Sequence, residues 1–121
     1  MSKKILLVDD DPTVHAIVTP LLTKEGFSVV SGKNGEQGFQ LALSERPNLI
    51  ILDVIMPGIK GRELCAKIKS YDVLKSIPVI FLTAKNSPED LKAESEVGGA
   101  SHLTKPIDPK QFISVIKSFI G

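Results

Sequence analysis

The hydrophobic positions of this chain fall into short unbroken runs, separated by segments with helical spacing. Three runs lack the alternation of a half-exposed strand, which is typical of strands buried on both faces of a parallel sheet. They are KKILLV at 3–8, LIIL at 49–52 and PVIFLT at 78–83. Shorter segments at 27–30 and 100–104 predict two further strands.

Five amphipathic segments lie after the five strands. In the first, apolar residues recur at i, i+3, i+4, i+7 and i+8 from Val14, which predicts a helix from Pro12 that ends before Gly26. Similar reasoning predicts helices at 36–45, 62–70, 88–97 and from Pro109 onward. Asp11, Ser87 and Asp108 precede three of these helices and are predicted to be their N-caps.

Regular alternation of strand and helix predicts an α/β fold with right-handed crossovers. We expect a doubly wound five-stranded parallel sheet with helices on both faces, forming one domain over residues 1–121. In the flavodoxin-like strand order 2-1-3-4-5, the first and third strands are neighbours.

Polar residues interrupt the apolar strands only at their carboxyl ends. Asp9 and Asp10 follow the first strand, Asp53 the third, Thr83 ends the fourth and Lys105 follows the fifth. Because these ends lie along one edge of a parallel sheet, where such folds bind ligands, we expect the five side chains to lie close together.

Three neighbouring carboxylates repel one another unless a proton or a cation is present. Mg²⁺ suits such a site because it needs few carboxylates and retains several waters. A lysine ammonium and a threonine hydroxyl are groups that bind phosphate oxygens. The cluster is therefore predicted to accept a phosphoryl group on a carboxylate nucleophile.

Composition narrows the function further. The 121 residues contain 15 lysines and arginines against 14 acids, a net charge of +1, which gives no support to nucleic-acid binding. Cys65 is the only cysteine, which excludes an internal disulfide and favours a reducing compartment; we expect it in a helix at the core. No segment reaches the roughly 20 apolar residues of a membrane helix, so we expect a soluble, cytoplasmic protein.

Four motifs together resemble the receiver domain of two-component response regulators, and the resemblance extends over the whole chain. They are LVDDDP at 7–12, ILDVIMPG at 51–58, FLTAK at 81–85 and HLTKP at 102–106. The resemblance implies that Asp53 is the phosphoacceptor and that Lys105, before a cis Pro106, and Thr83 contact the phosphoryl group.

The resemblance also implies a Mg²⁺ site formed by Asp10, Asp53 and the backbone carbonyl of Ile55, with Asp9 acting mostly through metal-bound water. The phosphoryl donor would be a histidine kinase or a phosphotransfer protein. The surface of the fourth helix, fifth strand and last helix would then switch and control a downstream protein or a missing output domain. Such a protein is a monomer or a phosphorylation-dependent dimer, and it is not a turnover enzyme.

Two positions differ from the usual family pattern. His102 occupies the position of the switch aromatic; it either fills the same space or, through its charge, makes the switch pH-sensitive near neutrality. Ile55 and Lys85 lie two residues beyond Asp53 and Thr83. Because Ile55 cannot orient a water molecule, we expect slow self-dephosphorylation.

Parts of the sequence are also compatible with functions other than phosphoryl acceptance. The spacing of Asp9, Asp11 and Thr13 also matches the first motif of haloacid-dehalogenase-type, Mg²⁺-dependent phosphohydrolases. In that case Asp9 would be the nucleophile, Asp53 would have no role, and the chain would have no room for a cap domain. A flavodoxin-like electron carrier is disfavoured because three acids would repel its phosphate group. The other alternative is an interaction module that is never phosphorylated.

Overall fold

The computed structural model describes residues 3–54, 56, 58, 60–84 and 87–121. Strands and helices alternate along the chain. In order they are β1 Lys4–Val8, α1 Pro12–Lys24, β2 Ser28–Gly32, α2 Gly35–Glu45, β3 Leu49–Asp53, α3 Gly61–Lys69, β4 Val79–Thr83, α4 Pro88–Glu96, β5 Ser101–Thr104 and α5 Pro109–Ile120.

The five strands form one sheet in the order β2-β1-β3-β4-β5, and every neighbouring pair is parallel. The predicted α/β fold and strand order are therefore confirmed. The register aligns the last residues of neighbouring strands: Val8 with Leu52, Asp53 with Leu82, and Thr83 with Thr104. All the strand ends that carry the predicted site residues consequently lie along one edge.

Each face of the sheet carries its own apolar core, as the unbroken strand runs predicted. Because successive strand residues point to opposite faces, Leu6 and Ile50 pack towards α2 and α3, whereas Ile5 and Ile51 pack towards α1 and α5. All four side chains are fully buried. The central strands are thus held rigidly from both sides.

Strand β2 differs from its prediction. The sequence predicted it at 27–30, but it extends from Ser28 to Gly32 and pairs with β1 along its whole length, up to Val8 opposite Gly32. The strand predicted from the sequence ends at Val30, because the glycine that follows at position 32 is a poor strand former. Hydrogen bonding to a rigid neighbouring strand outweighs that weak local preference.

The three predicted N-caps and the predicted end of α1 are confirmed, whereas α2, α3 and α4 each differ by one residue from the bounds predicted at 36–45, 62–70 and 88–97. The side chain of Asp11 accepts a hydrogen bond from the Thr13 N–H at 2.9 Å, and Ser87 and Asp108 cap α4 and α5 in the same way. Gly26 follows α1 with φ +91°, a conformation that favours glycine. In the part of the chain that the structure describes, no helix combines the length and apolar character needed to cross a membrane.

Candidate functional site

Three carboxylates meet at the carboxyl ends of β1 and β3. Oxygen atoms of Asp9, Asp10 and Asp53 all lie within 4.8 Å of one another. Asp9 is fully buried and Asp53 is 7% exposed, whereas Asp10 is exposed to solvent. The cluster is therefore enclosed by the sheet on one side and open to a ligand or donor on the other.

Asp9 is the most constrained member of the cluster. Its Oδ1 accepts a hydrogen bond from the Asp11 N–H at 2.9 Å, and its Oδ2 accepts one from Lys105 Nζ at 3.1 Å. Its backbone oxygen lies 2.7 Å from His15 Nε2. A carbonyl oxygen can only accept, so His15 Nε2 must carry the proton. These contacts fix the turn between β1 and α1.

Lys105 lies between two of the carboxylates. Its Nζ is 3.1 Å from Asp9 Oδ2 and 3.7 Å from Asp53 Oδ1. Burial lowers the pKa of Lys105, but the hydrogen bond to Asp9 and the charge of Asp53 outweigh burial, so the pKa is raised overall. Lys105 therefore stays cationic beside Asp53. The peptide bond between Lys105 and Pro106 is cis, as the family resemblance implied.

Thr83 ends β4, the strand next to β3, and its side chain is 2% exposed. The structure thus places four of the predicted site residues, Asp9, Asp53, Thr83 and Lys105, at adjoining strand ends, with Asp10 beside Asp9. Ile55 and Lys85 lie outside the described residues, so the predictions made for them stay predictions.

The start of α3 packs directly against the strand that carries Asp53. A β-carbon at Gly61 would overlap the backbone oxygen of Asp53, and the Gly61 N–H donates to the Val54 oxygen at 3.1 Å. Only glycine permits this approach. The position of Asp53 therefore depends on α3 as well as on the sheet.

His102 lies on β5 opposite Phe81 and is half-buried. It lines a cleft between α4 and β5 together with Glu94, whose side chain is 3% exposed. Its proposed pH sensitivity stays a prediction. Sequence reasoning missed Glu94 and its neighbour in α3, Arg62. The available signal was the position of Glu94, midway between Leu91 and Val97 on the apolar side of the predicted helix.

The donor chemistry of the cluster fits a hard divalent cation. Carboxylate oxygens are the ligands that Mg²⁺ prefers, and the three residues each offer one at mutually compatible distances. Lys105 supplies a positive charge beside Asp53. The arrangement can bind a cation and a phosphate oxygen next to the same carboxylate.

Cys65 is a packing residue, and none of its described contacts is with the acidic cluster. It is buried in α3, as predicted, and donates its S–H to the Val97 oxygen at 3.3 Å. Burial raises the pKa of Cys65 to about 11, while the nearby Lys69 lowers it slightly. The thiol is therefore protonated at neutral pH and serves as a packing residue.

Comparison with known proteins gives relatives of the same kind throughout. A family model described as the response regulator receiver domain matches residues 5–117. The chain is 41% identical over 120 residues to the probable transcriptional regulator ycf29 of Porphyra purpurea, covering 99% of this chain and 57% of that protein. It is 31% identical to sporulation initiation phosphotransferase F of Bacillus subtilis, covering 99% and 95%. The chain thus spans about half of the length of several curated relatives.

Solved structures agree with the sequence relatives. Chemotaxis protein CheY4 of Vibrio cholerae superposes with a TM-score of 0.94 at 28% identity, covering 98% of this chain and 99% of that one. The receiver domain of the sensor histidine kinase PA1611 of Pseudomonas aeruginosa, solved with a magnesium ion coordinated in its active-site cleft, has a TM-score of 0.92 at 25% identity, covering 100% and 99%.

The family model covers all five residues that converge at the sheet edge, from Asp9 to Lys105. Fold, strand order, site composition and relatives agree. The chain belongs to the response regulator receiver domain family of two-component signalling.

Proposed function

We propose that this chain accepts a phosphoryl group on Asp53 from a histidine kinase or a phosphotransfer protein. The observation that carries the proposal is the environment of Asp53. Its carboxylate ends a fully buried strand, shares a 4.8 Å cluster with two other carboxylates, and lies 3.7 Å from the ammonium of Lys105. A nucleophile, a cation site and a phosphate-binding group therefore adjoin one another.

Asp10, Asp53 and the backbone carbonyl of Ile55 would hold Mg²⁺. Asp9 would act mainly through metal-bound water, because each of its oxygens already accepts a hydrogen bond. When bound, the ion neutralises negative charge that develops on the transferring phosphoryl group. The magnesium ion in the related PA1611 receiver supports this assignment.

In the transfer step, a carboxylate oxygen of Asp53 forms a bond to phosphorus as the bond from phosphorus to the donor nitrogen or oxygen breaks. The donor group leaves with the electron pair. Lys105 and the hydroxyl of Thr83 bind the phosphoryl oxygens and orient the group in line with Asp53. The product is an aspartyl phosphate that hydrolyses slowly. The protein catalyses only its own modification and is not a turnover enzyme.

The added charge, about −2 at neutral pH, would bias an equilibrium between two conformations of the surface formed by α4, β5 and α5. That surface would control a downstream protein or an output domain of a longer protein, as a monomer or a phosphorylation-dependent dimer. We assign residues 1–121 to one receiver unit, without direct nucleic-acid or membrane binding. The single reduced, buried cysteine supports a cytoplasmic location.

Intact-protein mass spectrometry after incubation with acetyl phosphate tests this proposal. The wild type should gain the mass of one phosphoryl group only when Mg²⁺ is present, and Asp53→Asn should gain none. Asp72→Asn is the matched control, because Asp72 lies on an exposed loop and its side chain is 93% exposed.

An equal mass gain in Asp53→Asn would contradict the assignment of the phosphoacceptor. If folded wild-type protein gains no mass from acetyl phosphate or from a histidine kinase, the phosphorylation-independent interaction module becomes the better explanation.

A further inference from the structure

Helix α4 is attached to the rest of the protein in an unusual way. All nine of its residues are described, and the only buried residue among them is Glu94, which is 3% exposed. Leu91 and Ala93 are partly exposed. Because a surface helix normally docks through a stripe of apolar residues, α4 requires another means of attachment.

That attachment is provided by Arg62 of α3. Its Nη2 donates a hydrogen bond to Asp90 Oδ1 at 2.8 Å and lies 3.6 Å from Glu94 Oε2. Asp90 also accepts from the hydroxyl of Ser87 at 2.7 Å. The hydrogen bond from Arg62, followed by that from Ser87, lowers the pKa of Asp90, so this partner of Arg62 stays ionised.

Glu94 depends on Arg62 for its counter-charge. Within the described part of the chain, neither of its carboxylate oxygens has a hydrogen-bond partner. Burial raises the pKa of Glu94, whereas the charges of Arg62 and His102 act in the opposite direction and that of Asp90 adds to burial. If Arg62 were removed, an ionised carboxylate would remain buried without compensation, which is strongly destabilising.

Arg62 also lies next to the phosphoacceptor strand. The preceding residue, Gly61, packs against the Asp53 backbone oxygen and donates its N–H to the Val54 oxygen. The same helix also contacts the residue that follows α4, through the hydrogen bond from Cys65 Sγ to the Val97 oxygen. Helix α3 therefore connects the end of β3 with α4 through direct contacts.

We propose that Arg62 is a positioning residue that holds α4 in its unphosphorylated position through its paired contacts with Asp90 and Glu94. The regulatory part of this inference, that releasing α4 favours the phosphorylated conformation, rests on the proposed function. The mechanical part, that Arg62 holds α4, does not. Arg62 contacts none of the residues of the acidic cluster in the contacts described, so its removal should leave phosphoryl uptake on Asp53 intact.

Residue-resolved hydrogen exchange on Arg62→Met tests the mechanical part. Amides of α4 should exchange at least about tenfold faster than in the wild type, which corresponds to about 1.4 kcal/mol, while amides of β1 and β3 keep their protection. Lys67→Met is the matched control: it removes the same charge from the same helix, but Lys67 lies over the ring of Phe39 in α2. The control should leave α4 exchange unchanged.

A second-site variant separates this role from general destabilisation. Because part of the damage arises from the uncompensated Glu94 carboxylate and part from the lost contact with Asp90, Arg62→Met/Glu94→Gln should restore the α4 protection only in part. Arg62→Lys, which keeps the charge but loses the fork geometry, should give an intermediate result. Equal exchange in Arg62→Met and Lys67→Met would overturn the proposal. Full restoration in the double variant would also overturn it, because α4 would then be held without Arg62. If Arg62→Met does not fold, Arg62→Lys takes its place. Exchange of α4 amides as slow in Arg62→Lys as in Lys67→Met would then overturn the proposal.

Amide chemical shifts test the regulatory part. In unphosphorylated Arg62→Met, the shifts of α4 and β5 should lie on the line between the unphosphorylated and phosphorylated wild-type positions, because a fast two-state equilibrium averages them. Shifts that stay at the unphosphorylated position would overturn it. If the wild type gains no phosphoryl group, the proposed function is refuted. The mechanical part, that Arg62 holds α4, is then tested by the hydrogen-exchange result alone.

Discussion

The acidic end of the sheet and helix α4 are held in place by different forces. Strands β3 and β4 are buried at every residue, and β1 at all but its first, so the site rests on apolar packing from both faces. Helix α4 buries one side chain, and that side chain is a glutamate. It is attached mainly by the ion pairs of Arg62, whose own side chain is 30% exposed.

Under the proposed function, the two regions would have different tasks: the acidic end of the sheet would carry out the phosphoryl transfer, and α4 would respond to it. Truncating one buried aliphatic side chain typically costs about 2–5 kcal/mol, whereas a buried ion pair adds little net stability compared with apolar packing, although removing one partner is costly. Under the proposed function, the first environment would keep a nucleophile and a cation in fixed positions. The second would let one modification shift α4, because a few polar contacts decide its position.

The largest expected effect comes from truncating matched aliphatic residues in the two regions. Ile51→Ala in β3 should lower the free energy of unfolding by about 2–5 kcal/mol, because the side chain is fully buried. Leu91→Ala in α4 should cost less than about 1 kcal/mol, because Leu91 is partly exposed. Urea denaturation followed by circular dichroism measures both. Equal losses would mean that α4 is as firmly packed as the sheet.

A smaller effect is expected at the contact between α3 and the strand that carries Asp53, the proposed phosphoacceptor. Gly61→Ala introduces a methyl group that overlaps the Asp53 backbone oxygen, so it should cost about 1–3 kcal/mol of stability. It should also slow phosphorylation by acetyl phosphate by about tenfold or more, because small displacements of a reacting group are costly. Mass spectrometry over time gives the rate.

Gly26→Ala is the control for this variant. Gly26 has φ +91° and open space around its α-carbon, so alanine there strains the backbone far from the site. It should lower stability and leave the phosphorylation rate unchanged. A slow rate in both variants would mean that loss of stability, and not displacement of Asp53, explains the Gly61→Ala result.

The smallest expected effect is a change in pH dependence at Glu94. Burial raises the folded-state pKa of Glu94, so the folded protein favours the protonated form. The stability that this protonation contributes is fully present below the unfolded-state pKa and is lost as the pH rises through the folded-state pKa. Glu94→Gln should therefore be as stable as the wild type in acid and slightly more stable at neutral pH.

Urea midpoints measured from about pH 4 to about pH 8 test this prediction. Glu89→Gln, an exposed acid on the same helix, should show the same pH profile as the wild type. A lower stability of Glu94→Gln at neutral pH would mean that the Arg62 pair outweighs the burial of the charge.

Most of the fold could be predicted because the strands carry unbroken apolar runs and the site residues follow those runs directly. That pattern alone predicts that Asp9, Asp10, Asp53, Thr83 and Lys105 lie at one edge of the sheet. Strand β2 was placed incorrectly because its end depends on hydrogen bonds to β1, which local propensity does not encode. Contacts between side chains of different helices and strands are also not encoded in local propensity, because they depend on how these elements pack against one another.

Two features of the site illustrate that limit. Lys105 was expected close to all three carboxylates, and its shorter contact is with Asp9 and not with Asp53. The order of these distances depends on the packing of the strand ends and is not visible in the sequence. The contact between Arg62 and α4 depends on the packing of two helices that are separated by β4. Their charges are visible in the sequence, but their pairing is not.

The most direct test of the contrast between the two regions is residue-resolved hydrogen exchange on wild-type protein, with and without acetyl phosphate and Mg²⁺. Phosphorylation should change the protection of amides in α4 and β5 and leave β1 and β3 unchanged. Equal changes throughout the sheet and α4, or changes confined to the end of β3 next to Asp53, would contradict the separation of a rigid site from a weakly held responding helix.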